Sequence, residues 1–136
     1  MNPTPRTKRK ILIVDDEVES LGYLGQILLR EDYDVVYANN GIDAIALAQE
    51  HLPDLVILDM IMPEVGGSEV ASALREIPVT KDIPFLIVSG AILSKKDELN
   101  NNNMSEHNQY VLAKPITPSE IIELVRKIFS ISPPIK

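Results

Sequence analysis

Apolar residues along the chain fall into two alternating patterns. Short continuous runs of strand length appear at Ile11 to Val14, Val35 to Tyr37, Leu55 to Leu58, Phe85 to Val88 and Val111 to Ala113. Runs of this kind, bounded by polar residues, fit strands that are covered on both faces. Between them the spacing changes to that of helices. Leu21, Leu24, Ile27 and Leu28 form one stripe, and Ile42, Ile45, Ala46, Leu47 and Ala48 form a weaker one that stops before His51 and Pro53. Val70, Ala71, Ala73 and Leu74 follow the Gly66-Gly67 pair. The last segment has the fullest start signal. Thr117 stands as N-cap, Pro118 at the first helical position and Glu120 three residues after the cap, ahead of Ile121, Leu124, Val125 and Ile128.

Five apolar strands alternating with helices predict an α/β fold, a doubly wound five-stranded parallel sheet with helices on both faces. The expected organisation is a polar lead-in over 1–9, one domain over 10–129 and a tail over 130–136, where Pro133 and Pro134 discourage more helix. No internal repeat and no separate output domain are expected.

Composition narrows the function. The 136 residues, 45% of them hydrophobic, suit one domain with an ordinary core. A net charge of −7 and a pI near 4.8 argue against direct nucleic-acid binding, which needs clustered Lys and Arg. Arg6, Lys8, Arg9 and Lys10 are read as a solvated lead-in rather than a nucleic-acid arm. The absence of Cys excludes disulfides, thiolate metal sites and thiol nucleophiles. No apolar run approaches the roughly 20 residues that span a bilayer, and Met1 to Lys10 is too polar for a secretory leader. A cytoplasmic location is expected.

In a doubly wound fold, ligands bind beyond the carboxyl ends of the strands. The residues there are strongly polar: Asp15, Asp16 and Glu17 after the first run, Asp59 after the third, Ser89 after the fourth and Lys114 after the fifth. Each alone reads as a cap or turn residue, but together they converge on one edge of one sheet. Three gathered carboxylates need raised pKa values or a bound cation. A cluster rich in oxygen, without sulfur or imidazole, favours Mg²⁺. The three charges of Asp15, Asp16 and Asp59 would then be balanced by the metal and Lys114. A phosphoryl group on one carboxylate would be neutralised by the same pair, with Ser89 supplying a hydroxyl donor.

The strings Ile11-Leu12-Ile13-Val14-Asp15-Asp16-Glu17, Leu55 to Pro63 with Gly67, Val88-Ser89-Gly90 and Lys114-Pro115 resemble the hallmarks of response-regulator receiver domains. The resemblance extends from Lys10 to Phe129. It implies the flavodoxin-like receiver fold of two-component signalling and makes Asp59 the phosphoacceptor. It further implies that Asp16 is a direct Mg²⁺ ligand, Asp15 a mainly water-mediated one, and Asp59 and the Ile61 carbonyl the remaining protein ligands. Ser89 would bond a phosphoryl oxygen, Lys114 would pair with it, and Pro63 and Gly67 would shape the loop after the acceptor. The donor would be a phosphohistidine on a sensor histidine kinase or a phosphotransfer protein. Catalysis would be confined to the receiver's own phosphoryl transfer and autodephosphorylation. Output would pass through contacts with a second copy or an effector, on a face built by a helix between Ser89 and Lys114, the fifth strand and the final helix.

Some positions depart from the family pattern. The aromatic usual three residues before the lysine is replaced by Val111, and Tyr110, one residue early, would face the other way under strand alternation. Ser94 can start a helix, but Asn100 to Asn103 favour turns, so a short or frayed helix is expected there. Ile61, two residues after the acceptor, would hinder an attacking water and prolong the phosphorylated state. His51 and His107 lack ligand spacing and receive no role. Two other readings compete with this one: a degenerate receiver acting as a phosphorylation-independent interaction module, and an aspartyl-nucleophile hydrolase. Ile61 stands where the second would need an acid.

Overall fold

The computed structural model describes residues 7–90 and 109–131. The expected helix from Ser94 and the Asn100 to Asn103 run lie outside the described residues, as do Arg6, His107 and most of the expected tail. The elements are β1 (Lys10–Val14), α1 (Val18–Arg30), β2 (Asp34–Ala38), α2 (Gly41–His51), β3 (Leu55–Asp59), α3 (Gly67–Glu76), β4 (Phe85–Ser89), β5 (Gln109–Ala113) and α4 (Pro118–Ile131). The strands form one parallel sheet in the order β2-β1-β3-β4-β5, so the order reverses beside β1. This is the doubly wound arrangement that the alternating pattern predicts.

Strand alternation divides the core in two. Ile11, Ile13, Leu55, Ile57, Leu86, Val88 and Tyr110 pack with Leu21, Leu24, Ile27 and Leu28 of α1 and Ile121, Leu124, Val125 and Ile128 of α4. Leu12, Val14, Val56, Leu58 and Phe85 pack on the other face with Ala44 and Ala48 of α2 and Val70, Ala71 and Leu74 of α3. Double-sided burial explains why β1, β3 and β4 read as unbroken apolar runs.

The final helix starts as its residues predict. Thr117 Oγ1 accepts from the Glu120 N–H at 3.2 Å, and Glu120 Oε1 accepts from the Thr117 N–H at 3.4 Å. It continues through Ile131, so Ser130 and Ile131, assigned to the tail by sequence, are helical. Ser130 Oγ donates to the Lys127 carbonyl at 2.7 Å there.

The stripe expected for α2 holds at Ile45, Leu47 and Ala48, which pack on the core, and fails at Ile42 and Ala46. Ile42 is 61% exposed, Ala46 is exposed, and the buried positions are Gly41, Ala44 and Ala48. At its start α2 lies hard against the loop before α3: a Cβ on Gly41 would lie 2.7 Å from the Val65 side chain and carbonyl.

The basic lead-in is tied down more closely than a solvated segment. Arg9 lies over the Phe129 ring at 5.1 Å and 3.9 Å from Asp54, whose other carboxylate oxygen accepts from the Lys10 N–H at 2.8 Å. Lys8 pairs with Asp32 at 3.2 Å, and Tyr33 stacks tilted on Phe129 at 5.3 Å. The protein's own acids and one aromatic ring take up Lys8 and Arg9, while the Lys10 ammonium donates to the His51 carbonyl at 3.5 Å.

Candidate functional site

Parallel strands end together, so their carboxyl ends bring distant residues into one place. Asp15 directly follows β1, Asp59 closes β3, Ser89 closes β4 and Lys114 directly follows β5. Asp15, Asp59 and Ser89 are all buried, while Asp16 and Glu17 are exposed. The backbone holds each in place. The Asp15 N–H donates to the Ala38 carbonyl at 3.1 Å, the Met60 N–H to the Val88 carbonyl at 3.0 Å, and the Lys114 N–H to the Ser89 carbonyl at 2.9 Å. Lys114 thus enters the site from a peptide anchored on Ser89.

The side chains converge. The Lys114 ammonium lies 3.5 Å from Asp15 Oδ2 and 3.8 Å from Asp59 Oδ1. Asp15 Oδ1 accepts from the Glu17 N–H at 2.9 Å, and Asp59 Oδ1 accepts from the Ile61 N–H at 3.4 Å. Burial pushes the Asp59 carboxyl above the ordinary carboxylate range, and the adjacent Asp15 charge adds to the rise; Lys114 and the Ile61 N–H oppose it, and Asp16 adds a further upward push. Excess negative charge has been gathered around a desolvated carboxylate.

Three carboxylate oxygens, one each from Asp15, Asp16 and Glu17, lie within 4.8 Å of one another. An all-oxygen donor set, part buried and part solvated, fits a hard divalent cation that keeps some of its waters, as Mg²⁺ does. Asp59 is not one of this trio; Lys114 bridges it to Asp15. Glu17 was visible in the acidic run after β1, but nothing in its spacing separated it from a surface residue.

The loop after Asp59 is shaped by close approach. A Cβ on Gly67 would lie 2.5 Å from the Asp59 carbonyl oxygen, so only glycine lets α3 begin against the Asp59 backbone. The Gly67 N–H donates to the Met60 carbonyl at 3.1 Å, and Glu64 holds φ at 65° in between. Ile61 is 66% exposed at the mouth of the site.

Tyr110 and Val111 lie on opposite faces of an unbroken β4–β5 register, Tyr110 opposite Leu86 and Val111 opposite Ile87. Tyr110 is buried in the core beneath α1 and α4, and Val111 is half-buried on the other side. No bulge shifts the tyrosine into the place of the valine. His51 ends α2, away from this edge. One contributor gave no sequence signal: Tyr23, half-exposed on α1, donates its hydroxyl to the Ile116 carbonyl at 2.9 Å. With Asp15, Gly90, Lys114, Pro115 and Ile116 it lines a cleft of about 660 Å³.

Known proteins resemble this chain in sequence and fold. A family model for the response regulator receiver domain matches residues 11–126. A histidine kinase, P4 of Formosa agariphila, is 32% identical over 94% of this chain, which spans 12% of that protein. The polar-differentiation response regulator DivK of Brucella anthropi is 27% identical over 87% of this chain and 94% of its own. Among solved structures, the chemotaxis protein CheY4 of Vibrio cholerae superposes with a TM-score of 0.77 at 25% identity, covering 90% of this chain and 99% of its own. None of the described helices is long and apolar enough to cross a membrane. With the family match running from β1 into α4 and the acidic edge in the same strand order, the chain belongs to the response-regulator receiver domains of two-component signalling.

Proposed function

We propose that this receiver domain, with residues 10–129 as its unit, is a phosphorylation switch whose acceptor is Asp59. The observation that carries this reading is a buried Asp59 carboxylate, crowded by Asp15 and reached, together with Asp15, by the Lys114 ammonium. In the step itself an Asp59 oxygen attacks phosphorus, the new O–P bond replaces the N–P bond of a phosphohistidine, and the departing imidazole takes up a proton. The donor is a sensor histidine kinase or a histidine phosphotransfer protein, in a cytoplasmic setting. Lys114 follows the charge from the carboxylates to the phosphoryl oxygens, and the Ser89 hydroxyl donates to one of them. Mg²⁺ held by Asp15, Asp16, Asp59 and the Ile61 carbonyl supplies further positive charge to those oxygens when bound. Hydrolysis of the acyl phosphate restores the carboxylate. Output passes through protein contacts around β5 and α4, with a second copy or an effector.

The test is incubation with Mg²⁺ and acetyl phosphate, read by intact mass, followed by borohydride reduction to mark the modified aspartate. A phosphoryl adduct that maps to Asp59 supports the switch; no adduct with an active donor, or one mapped elsewhere, overturns it. A second reading is an interaction module that works without phosphorylation. It is favoured by Val111, an aliphatic residue on the β5 face where the family's moving aromatic would stand.

On this reading the Ile61 side chain, exposed two residues after Asp59, hinders a water attacking the acyl phosphate. Ile61→Asn, which offers a hydrogen bond to an attacking water, should speed loss of the phosphoryl group by on the order of two- to tenfold. A dephosphorylation time course that is unchanged would remove Ile61 from the account.

A further inference from the structure

We propose that Tyr23 is a positioning residue for Lys114, holding the loop that carries the ammonium across to Asp15 and Asp59. The inference rests on the reading of Asp59 as phosphoacceptor for its kinetic consequence, but not for its geometry. Lys114 has two backbone neighbours to restrain it. On one side its own N–H donates to the Ser89 carbonyl at 2.9 Å, which ties it to β4. On the other, the chain turns away from the sheet through Pro115 before α4 begins at Pro118. Ile116 lies in that turn, and its carbonyl takes the Tyr23 hydroxyl at 2.9 Å from a residue 93 positions earlier. The loop is therefore pinned at both ends, to β4 before the lysine side chain and to α1 after it.

The consequence lies in the reach of Lys114. Its Nζ sits 3.5 Å and 3.8 Å from carboxylate oxygens of two different strand ends, contacts that a long, flexible side chain keeps only if its backbone is fixed. Tyr23 lines the same cleft as Asp15 and Lys114. The tyrosine itself is 46% exposed, and the Ile116 carbonyl it serves can turn to water in its absence. Loss of the hydroxyl should thus loosen the loop without unfolding the protein.

Tyr23→Phe removes only the hydroxyl. With acetyl phosphate and saturating Mg²⁺, its phosphorylation rate at saturating donor should fall about threefold to tenfold, the scale of one hydrogen bond, while the donor half-saturation and the melting temperature stay near the wild-type values. In a Lys114→Ala background the same substitution should have no further effect, because a positioning residue acts only through what it positions. Equal effects in both backgrounds would overturn the proposal in favour of a general structural role. A second measurement needs no phosphodonor: the Lys114 side-chain resonance, followed by ¹³Cε-lysine NMR and assigned with Lys114→Arg, should move toward those of solvent-exposed lysines in Tyr23→Phe. An unmoved resonance also overturns it. If the resonance moves but the wild type takes up no phosphoryl group, the clamp stands and the acceptor reading of Asp59 fails.

Discussion

Asp59→Asn is expected to take up no phosphoryl group from acetyl phosphate and, in the absence of divalent cations, to be more stable than the wild type at neutral pH. The first effect is total, because an amide cannot form the acyl phosphate. The second follows from the cost of the carboxylate. Burial and the Asp15 charge raise its pKa above the ordinary value of 3.8 by more than Lys114 and the Ile61 N–H lower it. A carboxyl whose folded pKa is raised favours folding while it is protonated, below 3.8, and loses that favour as pH rises through the folded value. At neutral pH the native state therefore holds an unfavourable charge, which asparagine removes without changing shape. The gain should be about 1 kcal/mol, typical of relieving a functional site, and should vanish in acid below the unfolded carboxylate pKa. Urea titrations of both proteins in EDTA at neutral and acid pH check the sign. A mutant less stable than wild type at neutral pH would show that Lys114 outweighs burial and repulsion.

Lys114→Ala is expected to slow phosphorylation by about 10²- to 10³-fold, the usual cost of removing one preorganised donor to developing charge. The same substitution should tighten Mg²⁺ binding. Without its ammonium, Asp15 and Asp59 lose the positive group within 4 Å that competes with a cation for their oxygens. Slower transfer with tighter metal binding is a combination that simple damage to the fold does not produce. Acetyl phosphate kinetics and a Mg²⁺ titration by calorimetry measure the two effects. Weaker metal binding in the mutant would mean that the lysine orders the carboxylates rather than competing at them.

The residues of the site were easier to read than their relations. Asp15, Asp59, Ser89 and Lys114 were legible because a parallel sheet brings every strand's carboxyl end to one edge, whatever the loops do. The central strands were legible for a related reason: burial on both faces leaves no polar position to blur the run. The buried face of α2 was legible only in part. Alanine contributes little to an apolar stripe, so the pattern included Ile42, which is exposed, and passed over Ala44, which is fully buried, while Ile45, Leu47 and Ala48 pack on the core as read. Tyr110 and Val111 were correctly set on opposite faces because alternation in a strand is rigid. Tyr23 could not be found from sequence, since its partner is a backbone carbonyl 93 residues away and carbonyls leave no mark in a pattern of side chains. Glu17 failed for the opposite reason, as one acid among several at an exposed helix start.

The contact of Arg9 with the Phe129 ring sets the two ends of the folded unit side by side, at the sheet edge opposite Asp59. A module whose ends meet can be spliced into a longer polypeptide without prying the host apart, and here the splice points lie a full strand length from the chemistry. Sequences similar to this chain accordingly make up most of one protein, DivK, and a small fraction of another, the histidine kinase.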